Sequence, residues 1–175
     1  AKGKQTAVNV AAAEKGADGN RTTESLAGLA VLATSWEDIQ SFAVAGEGAG
    51  TAAIAGSATV NVLSEKTKAF IGQGATINGE NSDAGVAQDV SVVAYDDTDI
   101  LSVAGALSGA GTAAIGAGAD VGVIEKETQA FIWADTVNAI RDVKVQANST
   151  EDILSISASL GGAGTAGIAG SAGVY

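Results

Sequence analysis

The chain contains no His and no Cys, so chemistry resting on imidazole or thiolate, whether a nucleophile–base pair or a transition-metal set, is absent. What remains is carboxylate, hydroxyl, Lys and two arginines, Arg21 and Arg141. The densest acidic group is Asp96, Asp97 and Asp99, directly after Tyr95. Carboxylates facing each other across a groove suit acid–base glycan cleavage, and clustered carboxylates suit Ca²⁺, a hard cation that takes several oxygen ligands. Only Asp99 has acidic residues in phase, at Asp38 and Asp152. The expectation is therefore a solvated corner with no catalytic residue and no cofactor, in which Asp96, Asp97 and Asp99 are the Ca²⁺ candidates. Gly116-Ala117-Gly118-Ala119-Asp120 only partly echoes a calcium-roll phrase. Thr51, Thr112 and Thr165 occur once per unit, too sparsely for a flat ice-binding ladder, and are expected to cap turns.

The elements that position these residues are repeats. Gly48-Ala49-Gly50-Thr51-Ala52-Ala53-Ile54 returns at Gly109-Ala110-Gly111-Thr112-Ala113-Ala114-Ile115 and at Gly162-Ala163-Gly164-Thr165-Ala166-Gly167-Ile168. Thr51 to Thr112 is 61 residues and Thr112 to Thr165 is 53. The same offsets relate Asp38, Asp99 and Asp152, and a fixed period of this size marks a repeat architecture. The eight extra residues are expected in one inserted loop, 78–85. Val8 matches Val60, Val121 and Val174 in phase, which predicts a single repeat domain over 1–175 with repeats at 8–59, 60–120 and 121–174. Ahead of it, Lys2, Lys4 and Gln5 read either as a capping turn or as a junction foreign to the repeat.

Within a unit the apolar pattern has period two. Ala52, Ile54, Gly56, Ala58, Val60 and Val62 share one face of an extended strand, and Ala113 to Val123 repeat it. This face is expected inward, giving a thin core of small residues with Ala119 inside it. Glu65 to Ile71 reads as an exposed segment ending in a buried aromatic corner. Val90, Val92 and Ala94 form a second inward row, matched by Leu29, Val31 and Ala33 and by Val143, Val145 and Ala147. The acidic corners at Glu37-Asp38, Asp96 to Asp99 and Glu151-Asp152 are expected to turn the chain. The strand after each corner is apolar on both faces, as at Ile100 and Leu101, and is expected to be covered on both.

Twenty-four Gly with Val and Ile in phase indicate a folded chain, and no segment is apolar enough for a helical membrane span or a signal peptide. The absence of Met points to a processed form or a piece of a larger chain. A net charge of −11 disfavours nucleic acid and anionic lipid as partners, and direct membrane insertion is not expected. Together these features predict an all-β chain, a parallel β-solenoid of stacked coils. At about 20 residues per coil, each 53-residue unit would hold two or three.

The phrase Gly-Thr-Ala-x-Ile-x-Gly-Ser-Ala-x-Val-x-Val, then a charged Glu-Lys segment, a loop and an Asp-Val-x-Val-x-Ala strand, resembles the internal repeats of large Gram-negative surface and secreted adhesins, the filamentous-haemagglutinin-like and fusobacterial-leukotoxin-like proteins. The resemblance spans about Val8 to Val174. It implies a right-handed β-helical shaft at the cell surface or outside the cell, with no catalytic residues in the repeats. The leading expectation is a structural shaft or self-assembling filament subunit. The alternative is an adhesin segment that binds a host-surface or carbohydrate ligand through the loop at 78–85 or the stretch 15–25, with a carbohydrate-active enzyme a distant third. Head-to-tail self-association would use Val8, Val10, Val174 and Tyr175, with Phe42, Val103 and Ile156 available for lateral packing.

Overall fold

The computed structural model describes residues 7–80 and 84–175, with the backbone alone for 11–14. Lys2, Lys4, Gln5 and the middle of the 78–85 loop lie outside the described residues. All regular structure among the described residues is strand: β1 Val8–Lys15, β2 Arg21–Ala49, β3 Ala52–Ile71, β4 Thr76–Ile77, β5 Gln88–Ala110, β6 Ala113–Ile132, β7 Thr136–Val137, β8 Val143–Ala163 and β9 Ala166–Val174. They form sheets β1-β2-β5-β8, β3-β6-β9 and β4-β7.

The register explains the repeat. β6 and β9 pair in parallel from Ala113↔Ala166 to Val121↔Val174, a constant offset of 53. Thr51 carbonyl accepts the N–H of Thr112 and Ala113, and Thr112 carbonyl accepts those of Thr165 and Ala166. One repeat therefore brings the chain back beside its own previous pass. Each repeat contributes one long strand to each of the two larger sheets, β2, β5 and β8 to one and β3, β6 and β9 to the other, where the sequence predicts two or three short coils.

Two turns adjust the spacing. β4 and β7 pair at Thr76↔Thr136, an offset of 60, so one of the eight extra residues lies before Thr76 and seven lie after Asn78. Gly74 takes up the first with φ 78. Asn78, at φ 51, is fully buried; its side-chain amide donates to the Asn138 carbonyl at 2.8 Å, and Asn138 donates back at 2.9 Å. The loop proper therefore begins after Asn78.

β1 departs from the repeat. It pairs antiparallel with β2, Val8↔Leu26 and Val10↔Glu24, instead of joining the β3 sheet in phase with Val60. The polar turn between them reverses the chain. Gly19 lies at φ 78, and Asp18 accepts hydrogen bonds from both the backbone and the side chain of Asn20, an arrangement natural to Asp-Gly-Asn. A sheet edge blunted by a short antiparallel strand is a common protective device.

The chain makes two compact units. The first comprises 1–36, 65–97 and 126–150, and the second 37–64, 98–125 and 151–175. In the first, Ala69, Ile71, Ile77, Val90, Val92 and Ala94 form an apolar core, with Leu29, Val31 and Ala33 packed on it, as the second inward row predicts for two copies; in the third, Val143, Val145 and Ala147 are exposed instead. Phe70, however, is exposed and stacks on Phe131, centroids 5.1 Å apart. At Gly28, φ +144, an added Cβ would meet the Asp89 carbonyl oxygen at 2.0 Å, so only Gly allows β2 and β5 this approach.

In the second unit the alternation holds but the faces are reversed. Ala53, Ala55, Thr59 and Asn61 are buried, while Ile54, Val60 and Val62 point outward; β6 likewise buries Ala114 and Asp120 and exposes Val121 and Val123. Ala119 is thus on the outer face and only partly covered. Apart from Ile100 of β5, the interior consists of small and polar residues, because the two sheets meet on that row. Of β5, Ile100, Ser102 and Ala104 are buried, whereas Leu107 is exposed, as are Leu154, Ile156 and Leu160 of β8. Only one face of that strand is covered.

Candidate functional site

The acidic corners do not turn the chain, since β2, β5 and β8 run through them without a break. Nor are they all solvated. Asp96 and Asp97 are buried, and as neighbours on an extended strand they face opposite ways. Asp96 forms an ion pair with the buried Lys126 ammonium and accepts hydroxyl hydrogen bonds from Thr67 at 3.4 Å and Thr128 at 3.2 Å. The Asp97 carboxylate is 2.7 Å from Lys15 Nζ. Asp99 lies in the other unit. Asp96 and Asp97 therefore do not converge on one site, and lysine ammonium groups already meet their charges.

Beside Asp97 lies an open hollow of about 570 Å³ lined by Lys15, Tyr95, Asn148, Ser149 and Thr150. Lys15 also stands 4.9 Å from the centre of the Trp36 ring, within cation–π range. Lys15 belongs to the single-copy stretch that the sequence marks for ligand binding. Further along β5, Asp89 is gripped by the Arg141 guanidinium and also accepts the Asp142 N–H at 3.2 Å. That carboxylate holds the Arg141 pKa above its ordinary value.

An extended polar constellation centres on Asp120, which in the sequence stands out only as the end of the partial calcium-roll phrase. Asp120 on β6 is fully buried in the second unit. Thr59 donates to its Oδ1 at 2.6 Å, Ser102 at 2.7 Å and the Tyr175 hydroxyl at 3.2 Å, while Ser155 donates to Oδ2. Asn61 extends the network, donating to Ser102 at 3.2 Å and to Tyr175 at 3.0 Å and accepting from Ser41 at 2.6 Å. Burial pushes the Asp120 carboxyl up, and the bonds from Ser155, Thr59, Ser102 and Tyr175 together outweigh it, so the pKa lies below its ordinary value.

Register explains how these groups meet. Thr59, Asp120 and Gly173 occupy the same position in successive rungs, as do Asn61, Gly122 and Tyr175. A Cβ on Gly122 would lie 2.1 Å from the Tyr175 ring, so the missing side chain is the slot that the ring fills. The sequence signal was present, a lone carboxylate in phase with Thr and Gly in the small-residue row, but it has meaning only once that row is known to be inside.

Tyr175 and Val174 lie at the last rung, where Ser155, Ser157, Ser171, Gly173 and Tyr175 line an open cleft of about 590 Å³. Val8 and Val10 are engaged by β2 and do not offer a matching rung. Phe42 and Ile156 are exposed, and Val103 is half-buried between them on the outer face of its sheet. Comparison with family models, curated proteins and solved structures finds no match. The geometry defines a class, an all-β repeat protein with in-register parallel strands and a buried polar seam.

Proposed function

We propose that the chain is a structural element, a length of parallel β-solenoid shaft in an extracellular bacterial surface protein, built one rung per repeat. The observation that carries this reading is the unbroken nine-pair register between β6 and β9 at an offset of 53. Each rung presents to the next the row that it receives from the previous one, so the stack extends by repetition. The resemblance to adhesin repeats supports the surface location. The antiparallel β1 hairpin starts the stack at the β2 edge, and the edges of β8 and β9 continue it, either through more chain or, in a filament subunit, through another copy.

The reading is non-catalytic. Asp96 and Asp97 are held by Lys126 and Lys15, and Asp120 is sealed among four hydroxyls, which leaves these three carboxylates engaged.

Duplicating residues 122–174 in place tests the shaft. An added rung should raise the melting temperature and keep the β-sheet circular dichroism per residue. An unchanged melting temperature with falling dichroism per residue would overturn one rung per repeat. Electron microscopy then separates a filament subunit, which forms fibres, from a shaft segment.

A second reading, a ligand-binding adhesin segment, is favoured by the hollow at Lys15 and Tyr95. Its amide and hydroxyl lining beside Trp36 suits a saccharide. Trp36 fluorescence titrated with neutral oligosaccharides tests it, and a flat response across the panel would rule it out.

A further inference from the structure

The second unit is inside out. Apart from Ile100 of β5, its buried residues are Ala, Gly, Ser, Thr, Asn and Asp120, and the Ile and Val side chains of β3, β6 and β9 lie outside. On sheet β3-β6-β9 the outward rows are Ala52/Ala113/Ala166, Ile54/Ile115/Ile168, Gly56/Ala117/Gly170, Ala58/Ala119/Ala172, Val60/Val121/Val174 and Val62/Val123. Ile54 is 72% exposed and Val62 is 73% exposed. No position in these rows carries a charge or a polar side chain, on a chain whose net charge is −11.

We propose that this face is a contact between two copies of the chain, packed face to face about a twofold axis running along the Gly56/Ala117/Gly170 row. Such an axis places the Ile54 row of each copy over the Ala58 row of the other, and the Val60 row over the Ala52 row. Every ridge then meets a row of small side chains, and the Gly-containing row at the axis lets the sheets approach closely. Identical patches meeting in this way make a closed, isologous pair.

Area and charge both favour a second copy. At about 3.3 Å per residue and 4.8 Å per strand the face covers roughly 500 Å². The pair therefore buries about 1,000 Å² in total, near the lower bound for a specific interface, which predicts a weak, reversible dimer. Elsewhere two copies repel through their acidic surfaces, but here neither carries charge. A lipid surface fits the apolarity, yet β3 is an edge strand of its sheet among the described residues, and its unpaired N–H and C=O groups at acyl depth would cost several kcal/mol each. This contact is lateral and does not depend on the stacking of rungs.

The chain has no Cys, so Ala117→Cys gives a unique thiol at the axis, and Leu107→Cys, on the outward face of β5, gives the control. With a short bis-maleimide, Ala117→Cys should give a covalent dimer in a yield that rises with concentration and well exceeds the control. Adding Ile115→Lys to Ala117→Cys should weaken the dimer about a hundredfold, because two unpaired ammonium groups would be buried. Its circular dichroism should be unchanged, since the lysine stem lies on an open face. Equal yields from the two thiols, or no effect of Ile115→Lys in a folded chain, would overturn the proposal. Flotation with neutral phosphatidylcholine vesicles that abolishes the Ala117→Cys dimer would overturn it in favour of lipid. Fibres or added rungs that persist in Ile115→Lys show that stacking stands whether or not the lateral contact does.

Discussion

Asp120→Asn is the substitution that reports most directly on the buried seam. The carboxylate accepts four hydroxyl hydrogen bonds. An amide in its place offers one acceptor oxygen and turns an NH₂ donor toward the remaining hydroxyls. Thr59 and Ser102 are buried, while Ser155 and Tyr175 are partly solvated and can turn to water. Ser102 also has Thr59 Oγ1 as an alternative acceptor at 3.0 Å, which relieves part of the loss. A stranded buried polar group costs about 1–3 kcal/mol, so the expected destabilisation at neutral pH is about 2–4 kcal/mol. Urea unfolding of wild type and variant at a series of pH values measures it. The wild-type Asp120 pKa is lower in the folded state, so its contribution is fully present above the unfolded value of about 3.9. It is lost as the pH falls through the lower folded value. The difference between the two proteins should therefore shrink as the pH is lowered below about 4. A variant as stable as wild type at pH 7, or a gap that widens in acid, would refute the assigned seam.

Lys126→Met should destabilise the chain by about 3–5 kcal/mol, because it leaves buried Asp96 without its cation; thermal unfolding checks this. Ala114→Phe should cost about 1–3 kcal/mol or more by overpacking an interior position that is 1% exposed. Ala119→Phe, on the outer face, should stay within about 0.5 kcal/mol of wild type, and reversed melting shifts would invert the two faces. Deleting residues 79–85 should leave the β-sheet circular dichroism intact. A deletion that also removes Asn78 should lower the melting temperature, because it breaks the reciprocal bonds to Asn138.

The sequence alone determines the phase of the chain and its local conformation. Offsets of 61 and 53 between near-identical phrases put Thr51, Thr112 and Thr165 side by side, and the two-residue alternation makes every long segment a strand, because side chains on an extended backbone point to opposite faces in turn. It does not determine which face is inside. Both rows of β3 are plausible interiors, one of Ile and Val and the other of Ala, Thr and Asn, and a period of two is blind to direction. That choice came from the facing sheet, whose Ser102 and Ser155 meet Thr59 and Asp120 only when the small-residue row is inward. The burial of Asp96 was hidden for a similar reason. Its cation comes from Lys126 and its hydroxyl donors from Thr67 and Thr128, all about 30 residues away in sequence, and an acidic run looks solvated until such partners are in place. The direction of β1 was likewise undecided by Val8, whose phase with Val60 is satisfied equally by a fourth rung and by a hairpin. The turn between β1 and β2 closes after five residues, far short of a rung, so Val8 lies against Leu26.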